Sequence, residues 1–108
     1  MELFHVKSKL FDEYVVADCE TELFNVASHY LGDFVITNII GKNYGIHPIS
    51  FERFVQYCKQ VKSSQMERYV KGQITMDQLV DLIGKLSVED HILLEDINTN
   101  YMLCLIDL

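Results

Sequence analysis

The sequence predicts an α+β fold in a single domain that spans residues 1–108. Three observations favour this class. Apolar residues make up 49% of the chain, which is enough to bury a core. Segments near both ends resemble β-strands, and the middle carries apolar residues at helical spacing. The expected order is ββαβ, then three helices, then ββ, with helices packed on a mainly antiparallel sheet of about five strands.

Two short runs near the N-terminus predict a β-hairpin. Leu3 to Ser8 and Tyr14 to Asp18 are rich in β-branched and aromatic residues, and a polar segment separates them. Because side chains alternate along a strand, Phe4 and Val15 are expected on buried faces.

The next segments predict a helix followed by a strand. From Asp18 to Leu31 the apolar residues, among them Leu23 and Ala27, form one helical stripe. Gly32 is expected in the left-handed conformation that often ends a helix. Phe34 to Ile40 is apolar on both faces and is therefore expected at the centre of the sheet.

Three further helices are predicted after the loop that contains the only proline. Ser50 is expected to cap the second helix, and a short third helix is expected from Ser64 to Lys71. The fourth starts with a capping box formed by Thr75 and Gln78, and Gly84 is expected to lie inside it.

A closing hairpin is predicted at the C-terminus. His91 to Ile97 and Tyr101 to Leu108 are interpreted as strands joined by a turn at Asn98–Asn100, since asparagine tolerates turn conformations. The last strand is apolar on both faces and is expected inside the sheet.

The cysteines and the N-terminus predict a cytoplasmic protein. Cys19, Cys58 and Cys104 are odd in number and widely spaced, which is typical of reduced intracellular thiols. Cys19 lies near a predicted helix N-terminus, which favours the thiolate, whereas neighbouring acids oppose it. The chain lacks the pattern of a signal peptide and a run of about 20 apolar residues, so no membrane association is expected.

No motif predicts catalysis, a cofactor or a metal. The sequence contains no G-x-S-x-G turn, and no cysteine or histidine pair has a zinc-ligand spacing. A non-enzymatic role is therefore favoured. The alternative is an enzyme or small-ligand-binding domain that uses His47 or His91 with a nearby acid, in a pocket between sheet and helices.

Charge is distributed unevenly along the chain, whose formal net charge is −7. Residues 51–72 hold two acids and five bases. These bases form the predicted basic patch: Arg53, Lys59, Lys62, Arg68 and Lys71. Residues 73–108 hold seven acids and one base. Apart from Asp107, these acids form the predicted acidic surface: Asp77, Asp81, Glu89, Asp90, Glu95 and Asp96.

The acidic surface leads to the main functional hypothesis, although the same charges could simply keep the protein soluble. A small acidic module without catalytic motifs is suited to cover a basic site on another protein, as an immunity protein, an antitoxin-like inhibitor or a phage-encoded inhibitor does. Nucleic-acid contact through residues 51–72 ranks last, because the rest of the molecule repels phosphate. A homodimer is a further hypothesis, since strands that are apolar on both faces need additional cover.

Overall fold

The N-terminal hairpin forms the centre of the sheet. In the computed structural model, which describes residues 1–41 and 44–106 and side chains up to residue 103, β1 (Glu2–Ser8) pairs antiparallel with β2 (Asp12–Ala17). Phe4 lies opposite Val15, and both are fully buried. The predicted hairpin is confirmed.

Two more strands complete a mixed sheet. β3 (Phe34–Asn38) pairs antiparallel with β1, and β4 (Ile49–Ser50) runs parallel to β2, giving the order β3-β1-β2-β4. The prediction that β3 is central is therefore wrong. Its side chains alternate between half-buried and exposed, because this strand is covered on one face only, and Val35 is 64% exposed.

The first helix, α1 (Glu20–Tyr30), buries Leu23 and Ala27 as predicted. The left-handed conformation expected for Gly32 is wrong. Its backbone N–H donates to the carbonyl of Leu82 at 3.1 Å, and a Cβ atom here would collide with the carbonyl group of Asp81. Gly32 is thus required by a close approach between two segments.

The second and third predicted helices are one continuous helix, α2 (Phe51–Val70). Ser50 caps it as predicted, since its Oγ accepts a hydrogen bond from the Arg53 N–H at 3.2 Å. The predicted break at Ser64 is wrong because no glycine or proline interrupts the segment before Gly72, whose φ is 75°.

The predicted capping box begins α3 (Met76–Ile83). The Gln78 N–H donates to Thr75 Oγ1 at 3.2 Å, and the Thr75 N–H donates to Gln78 Oε1 at 2.9 Å. Gly84 was expected inside this helix but forms its C-cap, with a φ of 80° that favours glycine.

The predicted closing hairpin is wrong. Its described residues belong to one helix, α4 (Val88–Ile106), and Asp107 and Leu108 lie outside the described residues. Residues 88–106 contain no glycine or proline, and Leu94, Ile97 and Tyr101 have the spacing of one helical stripe. The apolar residues that suggested a two-sided strand are distributed around a helix.

The chain has two hydrophobic clusters along a molecule of 56 × 24 × 19 Å. One includes Phe4, Leu23 and Phe54 and lies between the sheet, α1 and the first half of α2. The other includes Met66, Leu79 and Leu94 and joins the second half of α2 to α3 and α4. The α+β class is confirmed, with four strands and four helices in the described residues. None of these helices has both the length and the apolar character needed to cross a membrane.

Candidate functional site

Two residues predicted for separate charged surfaces form one internal ion pair. Lys62 Nζ on α2 lies 2.9 Å from Asp90 Oδ2 on α4, and the side chains are 6% and 11% exposed. Lys62 Nζ also donates to the carbonyl of His29 at 3.5 Å and lies 5.2 Å from the centre of the Tyr30 ring. The pair therefore joins α2 and α4 to the end of α1, and neither charge is offered to a partner.

Asp90 also takes part in the cap of α4. The Ser87 N–H donates to Asp90 Oδ2 at 2.8 Å, and the Asp90 N–H donates to Ser87 Oγ at 3.2 Å. This reciprocal arrangement is a capping box. Sequence reasoning missed it, although Ser87-Val88-Glu89-Asp90 carries the [ST]-x-x-[DE] signal.

The surroundings of Asp90 keep it ionised. Burial raises the pKa of its carboxyl, but the hydrogen bond from the Ser87 backbone and the hydrogen bond and charge of Lys62 together outweigh burial. The net result is a pKa below the usual value for aspartate.

The other acids of the predicted surface separate into two groups. Asp77 and Glu89 lie in the first turns of α3 and α4, where the helix dipole stabilises negative charge. Asp81 forms an ion pair with Lys9. Glu95 and Asp96 lie exposed in the middle of α4, and neither forms an ion pair with the described part of the chain.

Exposed apolar side chains lie beside Glu95 and Asp96. Ile92 is 58% and Leu103 54% exposed, and at 100° per residue they project within about 20° of each other, with Glu95 and Asp96 on either side. We call this surface the α4 face. Its exposed members lie within about 60° of Ile92 around the helix and are Val88, Glu89, Ile92, Glu95, Asp96, Thr99 and Leu103. Sequence reasoning missed its apolar part because these residues were assigned to strands.

The predicted basic patch does not assemble. Lys62 is buried, Lys71 pairs with Glu67 at 2.8 Å, and Arg68 donates to Gln65 Oε1 at 2.8 Å. Arg53 and Lys59 are exposed but point about 120° apart around α2. No continuous cationic surface results from these five residues.

The two histidines considered for a pocket lie apart. His47 is exposed in the loop before β4. His91 and Glu95, one turn apart on α4, line a cleft of about 460 Å³ with Tyr69, Ile74 and Met76. This cleft lies between helices and not between sheet and helices. Among the described residues, no three His, Cys, Asp or Glu side chains are grouped so that they could hold a metal ion.

The cysteines with described side chains differ in environment. Cys58 is buried, which raises the pKa of its thiol to about 12. Cys19 is half-buried at the start of α1, where the backbone of Glu22, and then the side chain and backbone of Thr21, lower the pKa of its thiol.

No protein-family model, curated protein or solved structure matches the chain. Among the described surfaces, the α4 face combines exposed apolar side chains with carboxylates that form no ion pair in the described part of the chain.

Proposed function

We propose that this chain is a non-enzymatic protein-binding module whose α4 face docks onto a basic surface of a partner protein. An inhibitor that covers such a site, as an immunity protein or an antitoxin-like or phage-encoded inhibitor does, fits this description. The observation that supports the proposal is the combination of exposed Ile92 and Leu103 with Glu95 and Asp96 on one side of α4.

The two components of the face have different consequences for binding. When a partner covers apolar side chains that are exposed on a helix, their removal from water makes the free energy of binding more favourable. Carboxylates beside them accelerate the approach of a basic partner and disfavour acidic ones. A partner with Lys or Arg around an apolar groove satisfies both components, whereas a second copy of the α4 face would bring Glu95 and Asp96 towards like charges.

The experiment compares retention of host proteins on the immobilised chain. We expect a host protein that binds the wild type to be lost from Glu95→Lys/Asp96→Lys and from Ile92→Asp. The matched control is Glu13→Lys/Asp18→Lys, which makes the same charge change at exposed positions near the sheet and keeps binding. Equal retention by the α4 variants, or no protein retained by the wild type, contradicts the proposal.

A second candidate is small-ligand binding in the cleft that holds His91 and Glu95. Its apolar floor and its imidazole and carboxylate at i, i+4 spacing favour a small amphipathic molecule with a basic group. A thermal-shift screen of amines, amino acids and nucleotides tests this. A rise in Tm that His91→Ala abolishes supports the second candidate, and no rise with any compound contradicts it.

A further inference from the structure

The outer edge of β3 presents backbone groups that have no hydrogen-bond partner in the part of the chain that the structure describes. The Ile39 N–H donates to the Leu3 carbonyl at 2.9 Å, and hydrogen-bonded pairs alternate along an antiparallel ladder. Thr37 and Val35 therefore bond to β1. The N–H and C=O groups of Phe34, Ile36 and Asn38 point away from the sheet.

This edge lacks the features that usually prevent pairing. Proteins protect edge strands with lysine, proline, bulges or very short strands. The sequence Phe-Val-Ile-Thr-Asn contains no lysine or proline, and all five residues pair in regular register with β1. The opposite edge of the sheet, β4, has only two residues.

We propose that β3 pairs antiparallel with β3 of a second copy, about a two-fold axis at Ile36, so that two sheets form one sheet of eight strands. In this register Phe34 lies opposite Asn38 of the second copy, and Val35 lies opposite Thr37 of the second copy. The three outward-facing residues then exchange backbone hydrogen bonds with their equivalents.

Side chains beyond the strand fit the same axis. Ile40 is 91% exposed and lies two residues beyond the end of β3. The antiparallel two-fold pairing brings it to the end at which β3 of the second copy begins. Phe34, the first residue of that strand, lines a cleft of about 550 Å³ with the apolar side chains of Leu31 and Val80 and the charged side chains of Asp33, Asp81 and Lys85.

Ile40 lies an even number of residues after Phe34, so its side chain is expected on the same face of the strand as Phe34 and this cleft. Phe34 and Ile36 contact the core cluster under α1, and side chains at even positions share that face while the chain remains extended. Phe24 of α1 is exposed, and its ring packs edge-on against the ring of Phe34 with 5.4 Å between the ring centres. The apolar surface therefore extends to the edge of the sheet.

Self-complementarity favours a second copy over an unrelated chain. A two-fold interface needs each surface to face its own equivalent, and the five residues of β3, which pair regularly with β1, are centred on Ile36, so the axis pairs the whole strand with itself. The charges near this edge also permit two copies to meet. The edge is bordered by Lys7, Lys9 and Asp33, so the contact does not bring together the acidic side chains of α4.

Sedimentation velocity over a range of concentrations tests the proposal. We expect the wild type to form dimers and Ile40→Asp to weaken association at least about tenfold, because a carboxylate would replace an apolar side chain beside a cleft that already holds Asp33 and Asp81. Ile92→Asp is the matched control and leaves the dimer unchanged, since it makes the same change on the α4 face. A monomeric wild type, or a dimer lost in Ile92→Asp but not in Ile40→Asp, overturns the proposal.

A cross-linking experiment tests the register. With Cys19 and Cys104 replaced by Ser, a mixture of Val35→Cys and Thr37→Cys chains forms a disulfide-linked dimer under mild oxidation, because these positions are directly opposite. Each variant alone forms much less, since its own equivalents are diagonal. Equal cross-linking in all three samples contradicts the register. We expect Ile40→Asp to retain host proteins as the wild type does, because only the dimer depends on β3. This measurement distinguishes a failure of the dimer proposal from a failure of the proposed function.

Discussion

Lys62 Nζ lies 2.9 Å from Asp90 Oδ2, and this buried pair joins α2 to the first turn of α4. Its members are 28 positions apart in the sequence and come from the basic and the acidic segment. The pair fixes the start of the helix whose opposite side forms the α4 face. The orientation of that face therefore depends on an interaction within the chain.

The first prediction concerns the stability contributed by the pair. Lys62→Met leaves a buried carboxylate without its cation, so we expect the free energy of unfolding to fall by about 3–5 kcal/mol in urea denaturation. The control is Glu89→Gln, an exposed neighbour, with a loss of about 1 kcal/mol or less. A loss below that of the control would contradict a structural role for the pair.

The second prediction concerns pH. The folded-state pKa of Asp90 is below its unfolded value, so its contribution to stability is present above the unfolded pKa of about 3.9 and disappears as pH falls through the folded pKa. The stability difference between wild type and Asp90→Asn should therefore shrink below about pH 4. A difference that is constant over the acid range would show that Asp90 does not titrate as described.

The third prediction concerns Gly32. A Cβ atom here would meet backbone of the α3 segment, which cannot rotate away as a side chain can. We expect Gly32→Ala to lower the free energy of unfolding by about 1–3 kcal/mol, measured in urea. The control is Ser28→Ala, at an exposed position that lines the same cleft as Gly32. We expect it to change the free energy of unfolding by no more than about 0.5 kcal/mol. Equal effects of the two substitutions would contradict the close approach.

The fourth prediction concerns thiol reactivity. Iodoacetamide should modify Cys19 in the folded protein, because its thiol is partly exposed and has a lowered pKa. Cys58 should react only after unfolding, since burial raises its pKa to about 12. Peptide mass spectrometry after brief labelling measures both sites. Faster labelling of Cys58 than of Cys19 would contradict these environments.

Local signals predicted the elements that local interactions define. The N-terminal hairpin, α1, and the caps at Ser50 and Thr75 follow from alternation, helical spacing and short-range hydrogen bonds. The errors arose where packing decides the outcome. The edge position of β3 depends on strand order, and α4 was mistaken for two strands because its exposed side is apolar too.

The candidate site was only partly predictable for the same reason. Glu95 and Asp96 were expected on an acidic surface, and both are exposed. The Lys62–Asp90 contact depends on how α2 and α4 pack, and no spacing in the sequence encodes it. The Ser87 capping box, by contrast, is visible in the sequence, and it predicts a helix where the C-terminal strands were expected.

The fifth prediction tests the central claim, that the α4 face binds a basic partner. Once a retained protein has been purified, its affinity for the chain should be measured by titration at several salt concentrations. We expect Glu95→Lys/Asp96→Lys to weaken binding at least about tenfold at low salt and to flatten the dependence on salt, because two attractive charges become repulsive. Unchanged affinity with an unchanged salt dependence would show that the α4 face does not bind a basic partner.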